Sequence, residues 1–128
     1  MEASTPKLAP DLHVVQGYRP GGFTVAGVRY SGSLLVFPEQ VTPWSPLGPA
    51  EIDVDSLDAV RTAEPVPDLL VIGMGPAFAP FPAELRQAVR AWGVVVEAMA
   101  TPAACRTYNL LVAEGRRVAA ALIALPPA

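Results

Sequence analysis

Continuous apolar runs alternate with segments of helical spacing in the second half of the chain. Residues 69–72, 94–97 and 117–124 are short runs rich in valine, leucine, isoleucine or alanine, and each is predicted to be a buried strand. Helical spacing fills the two intervals between them, at residues 82–92 and 102–113. Because strands and helices alternate, we expect an α/β fold in which helices cover the faces of a sheet.

The first of these helices has a clear apolar face and clear ends. Pro82 stands in the first turn, where its missing N–H costs nothing, and Gly93 stands where a glycine commonly ends a helix. Arg86 and Arg90 lie on the polar face and are expected to be solvated. The strands that flank this helix should be parallel, with their carboxyl ends at one edge of the sheet. The apolar face consists of Leu85, Ala88, Val89 and Trp92.

The first third of the chain holds short β segments separated by glycine. Residues 23–25, 28–30 and 33–37 are predicted strands, with a tight turn between the first two, and residues 12–16 are a candidate edge strand. Residues 38–51 contain four prolines, which disfavour a helix and a central strand, so an ordered loop or linker is predicted there.

The whole chain, residues 1–128, is expected to form one domain. Its length is enough for a single core, and it contains no internal repeat. Residues 1–10 hold two prolines and few core-forming side chains, so a loose tail is expected there. A short helix with Asp55 or Ser56 as its N-cap is predicted to precede the second half.

Composition narrows the classes of function. The chain is 52% hydrophobic and 16% charged, which excludes an intrinsically disordered protein. The net charge is −3 and the nine basic residues are scattered, so we expect no nucleic-acid partner. One cysteine, Cys105, and one histidine, His13, exclude an internal disulfide and offer no cysteine-based zinc site, and we expect no metal and no cofactor.

Hydropathy argues against a membrane protein. The longest apolar run, residues 118–128, ends in two prolines and is far shorter than the roughly 20 residues that span a bilayer. The first 15 residues lack the apolar core of a signal peptide. We therefore expect no transmembrane segment and a cytoplasmic location.

A glycine loop follows the first strand of the second half, in the sequence GMGPAF. Gly73 and Gly75 match the first two glycines of the dinucleotide fingerprint G-x-G-x-x-G, but Phe78 replaces the third, which close helix packing requires. Pro76 removes a backbone N–H that a phosphate could use. A shaped turn is the main interpretation, and a bound nucleotide or another small ligand are the alternatives.

No complete catalytic motif is present, so the residues predict no reaction. His13 has no G-x-S-x-G nucleophile elbow to serve, and Cys105 lies inside a predicted helix, where a cysteine usually behaves as an inert hydrophobic residue. Thr107, Tyr108 and Asn109 are polar residues in the same helix. They either anchor the helix to a neighbouring loop or line a pocket.

Glu97 follows three valines at the end of a predicted strand. A buried carboxylate is tolerated only when it is hydrogen-bonded. We therefore expect Glu97 to accept hydrogen bonds from Thr107 or from the loops at residues 73–78 and 99–103, in which Thr101 is the predicted cap of the next helix. A carboxylate that points into an open ligand pocket is the alternative.

The proline-rich segment at residues 41–49 also predicts a surface feature. A polar loop would be the norm at this position, but the segment contains Trp44 and several prolines. A tryptophan in a loop usually covers the core. Because large exposed apolar patches usually mark partner sites, we also expect an exposed patch, for which the prolines and Trp44 are the candidates. Self-association through such a patch, giving a homo-oligomer, is one outcome.

The motifs of the second half resemble those of a known family, the Mth-type domain of unknown function, over residues 20–124. Met74 departs from the family pattern, which frequently has a small hydroxyl residue there. The motifs are a G-x-G strand end, a glycine before a strand ending in Glu-x-Met, a threonine, a T-Y-N triplet, and E-G-R before an alanine-rich strand. They lie at Gly73, Gly75, Gly93, Glu97, Met99, Thr101, Thr107-Tyr108-Asn109 and Glu114-Gly115-Arg116.

This resemblance implies a fold but no established reaction. The implied fold is a three-layer α/β structure whose central mixed sheet has helices on its faces, an antiparallel last strand and an additional N-terminal β layer. Some members of the family are linked to the assembly of respiratory complex I in mitochondria. The resemblance leaves open whether a related protein shares that role, through one or more protein partners, or has another.

Two hypotheses of function follow. The first is a non-enzymatic interaction or assembly protein, linked to respiratory complexes by the resemblance. The second is a small-molecule-binding protein or enzyme that uses a crevice at the carboxyl ends of the strands, where open α/β sheets bind ligands. The residues of this candidate ligand or structural crevice are Gly73, Met74, Gly75, Glu97, Met99, Thr101, Thr107 and Asn109.

Overall fold

The computed structural model describes residues 12–127, which form eight strands in two sheets and three α-helices. The tail predicted at residues 1–10 lies outside this range. The strands are β1 (Val15–Arg19), β2 (Gly22–Val25), β3 (Val28–Ser31), β4 (Leu34–Phe37), β5 (Gln40–Pro43), β6 (Leu69–Gly73), β7 (Val95–Met99) and β8 (Val118–Leu122). The helices are α1 (Asp58–Arg61), α2 (Ala83–Arg90) and α3 (Thr101–Ala113), and short 3-10 turns lie at Pro49–Glu51 and Asp55–Leu57.

The larger sheet is mixed and has the strand order β5-β4-β8-β6-β7. Strand β6 is parallel to β7, as the helical crossover between them predicted, and it is also parallel to β8. Strand β8 is antiparallel to β4 on its other side. The antiparallel last strand implied by the family resemblance is thus found where β8 meets the N-terminal half of the chain.

Side-chain alternation along the strands separates two hydrophobic clusters. Leu70 and Ile72 of β6 face one side, against α1 and α2. Val71 faces the other side, against α3 and the three-stranded antiparallel sheet β1-β2-β3. The result is the expected three-layer arrangement. Strand β8 lies in the centre of the sheet and is covered on both faces, so all five of its residues are buried.

The β-hairpin of the small sheet follows the sequence closely. Ala26 and Gly27 both have positive φ, 50° and 81°, as a type I′ turn between β2 and β3 requires. Strand β1 starts at Val15, three residues after the predicted start. It also ends three residues later than predicted, at Arg19, and the other predicted strands of this third of the chain are confirmed to within one residue.

Two predicted elements are wrong because edge positions follow different rules. Residues 40–43 were predicted to be loop, yet they form β5, an edge strand in which Pro43 can end the pairing without disrupting an inner ladder. Strand β7 was predicted to be buried, but it is the opposite edge of the sheet, and only Val96 of its five residues is fully buried. Val95 and Glu97, on its other face, are exposed.

Trp44 does not belong to an exposed patch, contrary to the prediction. It is only 5% exposed, and it packs in the cluster beside α1 and α2. Its indole N–H donates to the carbonyl oxygen of Ser56 at 2.8 Å, so the loop is tied to the turn before α1. Asp55 and Ser56 are not the N-cap of the short helix, as was predicted, because the residue before α1 is Leu57. The side-chain hydrogen bond at this turn runs from the Ser56 N–H to the carboxylate of Asp53.

Arg86 is not simply solvated, as its position on the polar face of α2 suggested. Its guanidinium donates to the carbonyl oxygen of Val96 at 2.7 Å and lies over the ring of Phe81, 5.6 Å from the ring centre. An edge strand exposes unpaired backbone groups, and a long basic side chain is a common way to satisfy them. Arg86 therefore ties α2 to the edge of the sheet.

Candidate functional site

The carboxyl end of β6 meets the first turn of α3 at a buried hydrogen-bonded junction. Thr101 is fully buried, and its hydroxyl donates to the carbonyl oxygen of Ile123 at 2.7 Å. The same hydroxyl oxygen accepts the N–H of Gly75 at 2.9 Å. The Thr101 N–H donates in turn to the carbonyl oxygen of Gly75 at 2.8 Å. One side chain therefore joins the glycine loop, the start of α3 and the segment after β8.

The structure explains why both loop positions are glycine: close packing requires it at Gly73, and the backbone conformation requires it at Gly75. A Cβ on Gly73 would lie 2.8 Å from the hydroxyl oxygen and 2.9 Å from the Cα of Thr101, closer than real Cβ contacts occur. Gly75 has φ of +104°, which side chains rarely adopt. The G-x-G spacing is thus explained by the approach of α3 and by the turn itself.

The backbone N–H groups of this loop are already used within the protein. Met74 is buried, and its N–H donates to the carbonyl oxygen of Met99 at 2.7 Å. The N–H of Gly75 is taken by Thr101, and the carbonyl oxygen of Gly73 accepts the N–H of Ile123 at 2.9 Å. A phosphate at this loop would have to compete with these internal hydrogen bonds, because nucleotide loops offer free N–H groups.

Glu97 does not have the hydrogen bonds that were predicted for it. Its side chain is exposed on β7, and its carboxylate accepts no hydrogen bond from any residue between 12 and 127. The Thr107 hydroxyl, one of its expected donors, instead contacts the sulfur of Met99 at 3.5 Å. The role predicted for the Glu97 carboxylate is filled by the Thr101 hydroxyl. Thr101 is also the first residue of α3 and not its cap, which is Ala100.

Of the two alternatives for the T-Y-N triplet, the geometry supports anchoring. The Asn109 amide accepts the Val15 N–H at 2.8 Å and donates to the Val15 carbonyl oxygen at 2.7 Å, as a neighbouring strand would. The Tyr108 hydroxyl donates to the carbonyl oxygen of His13 at 2.8 Å. Together these bonds fix β1 and the segment before it to α3.

The single cysteine lies on the buried face of the same helix. Burial raises the pKa of the Cys105 thiol to about 12, so the thiol stays protonated at neutral pH. A nucleophilic cysteine needs the thiolate. Cys105 therefore behaves as the small hydrophobic residue that its helical position suggested.

A cavity lies at the other end of the sheet. It has a volume of about 410 Å³ and is bordered by Val118, at the amino end of β8, and by Phe37, at the end of β4. Its rim carries the charged side chains of Glu39, Glu64 and Arg116. Gly115 and Arg116 of the E-G-R motif line it, but the sequence did not predict a cavity here, because the lining comes from four separate parts of the chain.

Two further structural observations bear on function. Within residues 12–127, no three His, Cys, Asp or Glu side chains gather where they could hold a metal ion. No helix in the same range combines the length and the apolar character that crossing a membrane requires.

Comparison with known proteins adds a family to this geometry. A family model described as "Protein of unknown function (DUF498/DUF598)" matches residues 15–123. The chain belongs to the DUF498 family. An uncharacterised protein of Rhodobacter capsulatus is 41% identical to this DUF498 protein, over 89% of this chain and 86% of the relative.

Other relatives in the family carry a functional name. NADH dehydrogenase (ubiquinone) 1 alpha subcomplex assembly factor 3 of Danio rerio is 36% identical over 90% of this chain, and that of Homo sapiens is 34% identical over 88%. This chain spans 66% of the first relative and 61% of the second, so the rest of each lies outside the match.

Solved structures confirm the fold that the resemblance implied. A crystal structure of a Bordetella parapertussis protein matches with a TM-score of 0.79 and 40% identity, covering 87% of this chain and 94% of that one. An NMR structure of a Bordetella pertussis protein, described as a Mth938-like domain, matches with a TM-score of 0.82 and 31% identity. The match covers 98% of this chain and 95% of that one. The resemblance to the Mth-type family is therefore confirmed.

The structure brings together only part of the predicted crevice of this DUF498 protein. Residues 73–75, Met99 and Thr101 meet at the buried junction, and Thr107 reaches Met99 from α3. Glu97 faces solvent, and Asn109 faces β1. Ile123 was missed, since an apolar residue that contributes only a carbonyl oxygen leaves no pattern in a sequence.

Proposed function

We propose that this DUF498 protein is a non-enzymatic interaction protein that acts in assembly, with a link to respiratory complexes. The observation that carries the proposal is the 36% identity over 90% of the chain to a complex I assembly factor. The family model covers residues 15–123, which include both sheets and all the helices described above. Such a role requires at least one protein partner.

The geometry of the glycine loop supports a structural role for the candidate crevice. The N–H groups of Met74 and Gly75 and the hydroxyl of Thr101 all have internal partners. Asn109 is likewise engaged with β1. Groups that are already hydrogen-bonded and buried are poorly placed for catalysis, which needs side chains that can reach a substrate.

Deletion of the gene in its native cell tests the assembly role. Assembled complex I, resolved on a native gel and stained for NADH oxidation, should fall and smaller subcomplexes should accumulate. Expression of the wild-type chain should restore the full complex. Unchanged levels of assembled complex I in the deletion strain would contradict the proposal.

The cavity at the amino end of β8 favours a second candidate, a small-molecule-binding protein. Its volume of about 410 Å³ is within the range of ligand pockets, roughly 300–1,000 Å³. This moves the ligand hypothesis away from the glycine loop. A thermal-shift screen with nucleotides, flavins and other metabolites tests it, with Arg116→Glu at the cavity rim compared with Arg90→Glu on α2 as the remote control. A ligand that stabilises wild type and the control equally, but not Arg116→Glu, would support this candidate.

A further inference from the structure

Two loops on the α2 side of the large sheet expose large apolar side chains. We call residues 47–55 and 76–84 together the loop face. Leu47 is 71% exposed and Phe78 is 66% exposed, and Val54 is exposed as well. Val54 and Pro82 border a shallow groove of about 300 Å³ between the two loops, with Ile52 and Leu85 at its base. Leu47 and Phe78 do not line this groove, but they belong to the two loops that form it. Exposed apolar residues that are grouped mark contact surfaces more often than isolated ones.

Buried side chains and a hydrogen bond hold in place the loops that carry these exposed side chains. Ile52 and Phe81 are buried in the same cluster as Trp44, one from each loop. The N–H of Leu47 donates to the carboxylate of Glu51 at 2.9 Å, which fixes the turn that presents the leucine. The apolar surface is thus presented by ordered loops, and a partner would not have to order them on binding.

The charges around the groove have one sign. The exposed carboxylates of the loop face belong to Glu51, Asp53, Asp55 and Glu84. Neither loop contains a lysine or an arginine. The nearest basic residue in the chain after the first loop, Arg61, is paired with Asp58 at 2.6 Å. Arg86, two residues after the second loop, lies over the ring of Phe81 and donates to the carbonyl oxygen of Val96. The four exposed carboxylates of the loop face therefore outnumber this one basic side chain, which already has a partner.

We propose that the loop face docks a partner protein through a basic amphipathic segment, whose apolar residues cover Leu47, Val54 and Phe78. This inference rests on the proposed assembly function and names the surface and the partner chemistry. Lysine or arginine side chains of the segment lie beside the carboxylates at the groove. Complementary charge of this kind favours the correct partner and speeds its encounter. The acidic border makes an anionic lipid surface a poor match for this face.

A direct test uses model helical peptides and matched variants. The probe is an amphipathic peptide of leucine and lysine, and the matched peptide contains leucine and glutamate. The Leu/Lys peptide should bind the wild-type protein, and Leu47→Ser with Phe78→Ser should weaken binding by at least about tenfold, as loss of central apolar contacts does. Leu110→Ser, at an exposed leucine on α3, is the matched control and should leave binding unchanged. Equal binding of both peptides, or equal loss in the Leu110 variant, overturns the proposal.

Complementation of the deletion strain separates this proposal from the proposed function. Asp55→Lys with Glu84→Lys reverses two charges of the loop face, and Arg106→Glu, at an exposed position of α3 on the opposite face of the large sheet, is the control. If assembly depends on the loop face, the control restores assembled complex I and the double variant does not. Full restoration by both, in a strain whose complex I is lost on deletion, overturns the docking surface and leaves the assembly role intact. A thermal melt confirms that each variant is folded.

Sedimentation of the free protein tests the remaining occupant, a second copy of the chain. The proposal predicts that Leu47→Ser with Phe78→Ser has the same sedimentation coefficient as wild type. A wild-type dimer that dissociates in this variant would overturn the proposal, since the loop face would then bind itself.

Discussion

The two halves of the loop between β6 and α2 have opposite environments. Residues 73–75 are buried, and Thr101 is hydrogen-bonded to both the N–H and the carbonyl oxygen of Gly75. Residues 76–78, which follow directly, are exposed and end in the exposed ring of Phe78. The half that looks like a ligand motif is thus engaged inside the protein, and the half without a motif is the one that a partner can reach.

Hydrogen bonding explains why the two halves differ. The N–H of Met74 donates to the carbonyl oxygen of Met99, and the N–H of Gly75 donates to the hydroxyl oxygen of Thr101. Pro76 and Pro80 have no N–H to donate, so the backbone around them requires fewer internal partners and can remain at the surface. A glycine-rich loop is therefore informative about phosphate binding only when its N–H groups are free.

The largest effect is expected from removing the Thr101 hydroxyl. Thr101→Val keeps the shape but leaves the Gly75 N–H and the Ile123 carbonyl unpaired in a buried site. Each unpaired buried group costs about 1–3 kcal/mol, so we expect a loss of about 3 kcal/mol in the free energy of unfolding. A urea melt measures it.

Thr101→Ser is the matched control for that substitution. It retains the hydroxyl and removes one buried methyl group, so a loss of about 1 kcal/mol is expected. If the valine and serine variants were equally stable, the hydroxyl would not hold the junction. The explanation of the contrast between the two halves of the loop by hydrogen bonding would then be wrong.

A smaller effect is expected from filling the space at Gly73. Gly73→Ala places a Cβ 2.9 Å from the Cα of Thr101, so the strand end and α3 must separate. Overpacking of this kind should cost about 2 kcal/mol in a denaturant melt. Gly48→Ala is the control, because its extended backbone accepts alanine and nothing lies within 4 Å of the added carbon. A Gly73 variant as stable as the Gly48 variant would show that the approach of α3 is not tight.

The smallest effects are expected at the exposed positions. Glu97→Ala and Phe78→Ser each remove a side chain that faces solvent. Surface substitutions usually change stability by less than about 0.5 kcal/mol, and we expect both variants to stay within that range. A loss of more than about 1 kcal/mol for Glu97→Ala in the same melt would restore the structural role first predicted for its carboxylate.

The sequence predicted elements whose cause is local. The apolar spacing of α2, its end at Gly93 and the parallel pairing of β6 with β7 follow from periodicity, a glycine with φ of +84° and the handedness of crossovers. Strand β5 was missed because its prolines were taken as evidence against a strand. Proline disfavours a strand inside a sheet, but an edge strand tolerates it.

The errors at Glu97, Thr101 and Trp44 have a non-local cause. Three valines before Glu97 indicated a strand covered on both faces, but burial there depends on which strand ends the sheet. Thr101 has the spacing of a helix cap, and only the position of Ile123 gives its hydroxyl a second partner. The burial of Trp44 depends on the turn at Ser56, and the cavity near Val118 likewise needs distant segments to meet.

Amide hydrogen exchange across residues 73–79 of the free protein tests the contrast between the two halves of the loop most directly. The N–H of Gly75 is buried and bonded to the Thr101 hydroxyl, so its exchange should be as slow as that of the central strand β8. The N–H groups of Ala77 and Phe78 lie in the exposed half and should exchange within the dead time of the experiment. Fast exchange at Gly75, similar to that at Phe78, would show that the glycine loop opens in the native state and would contradict the account.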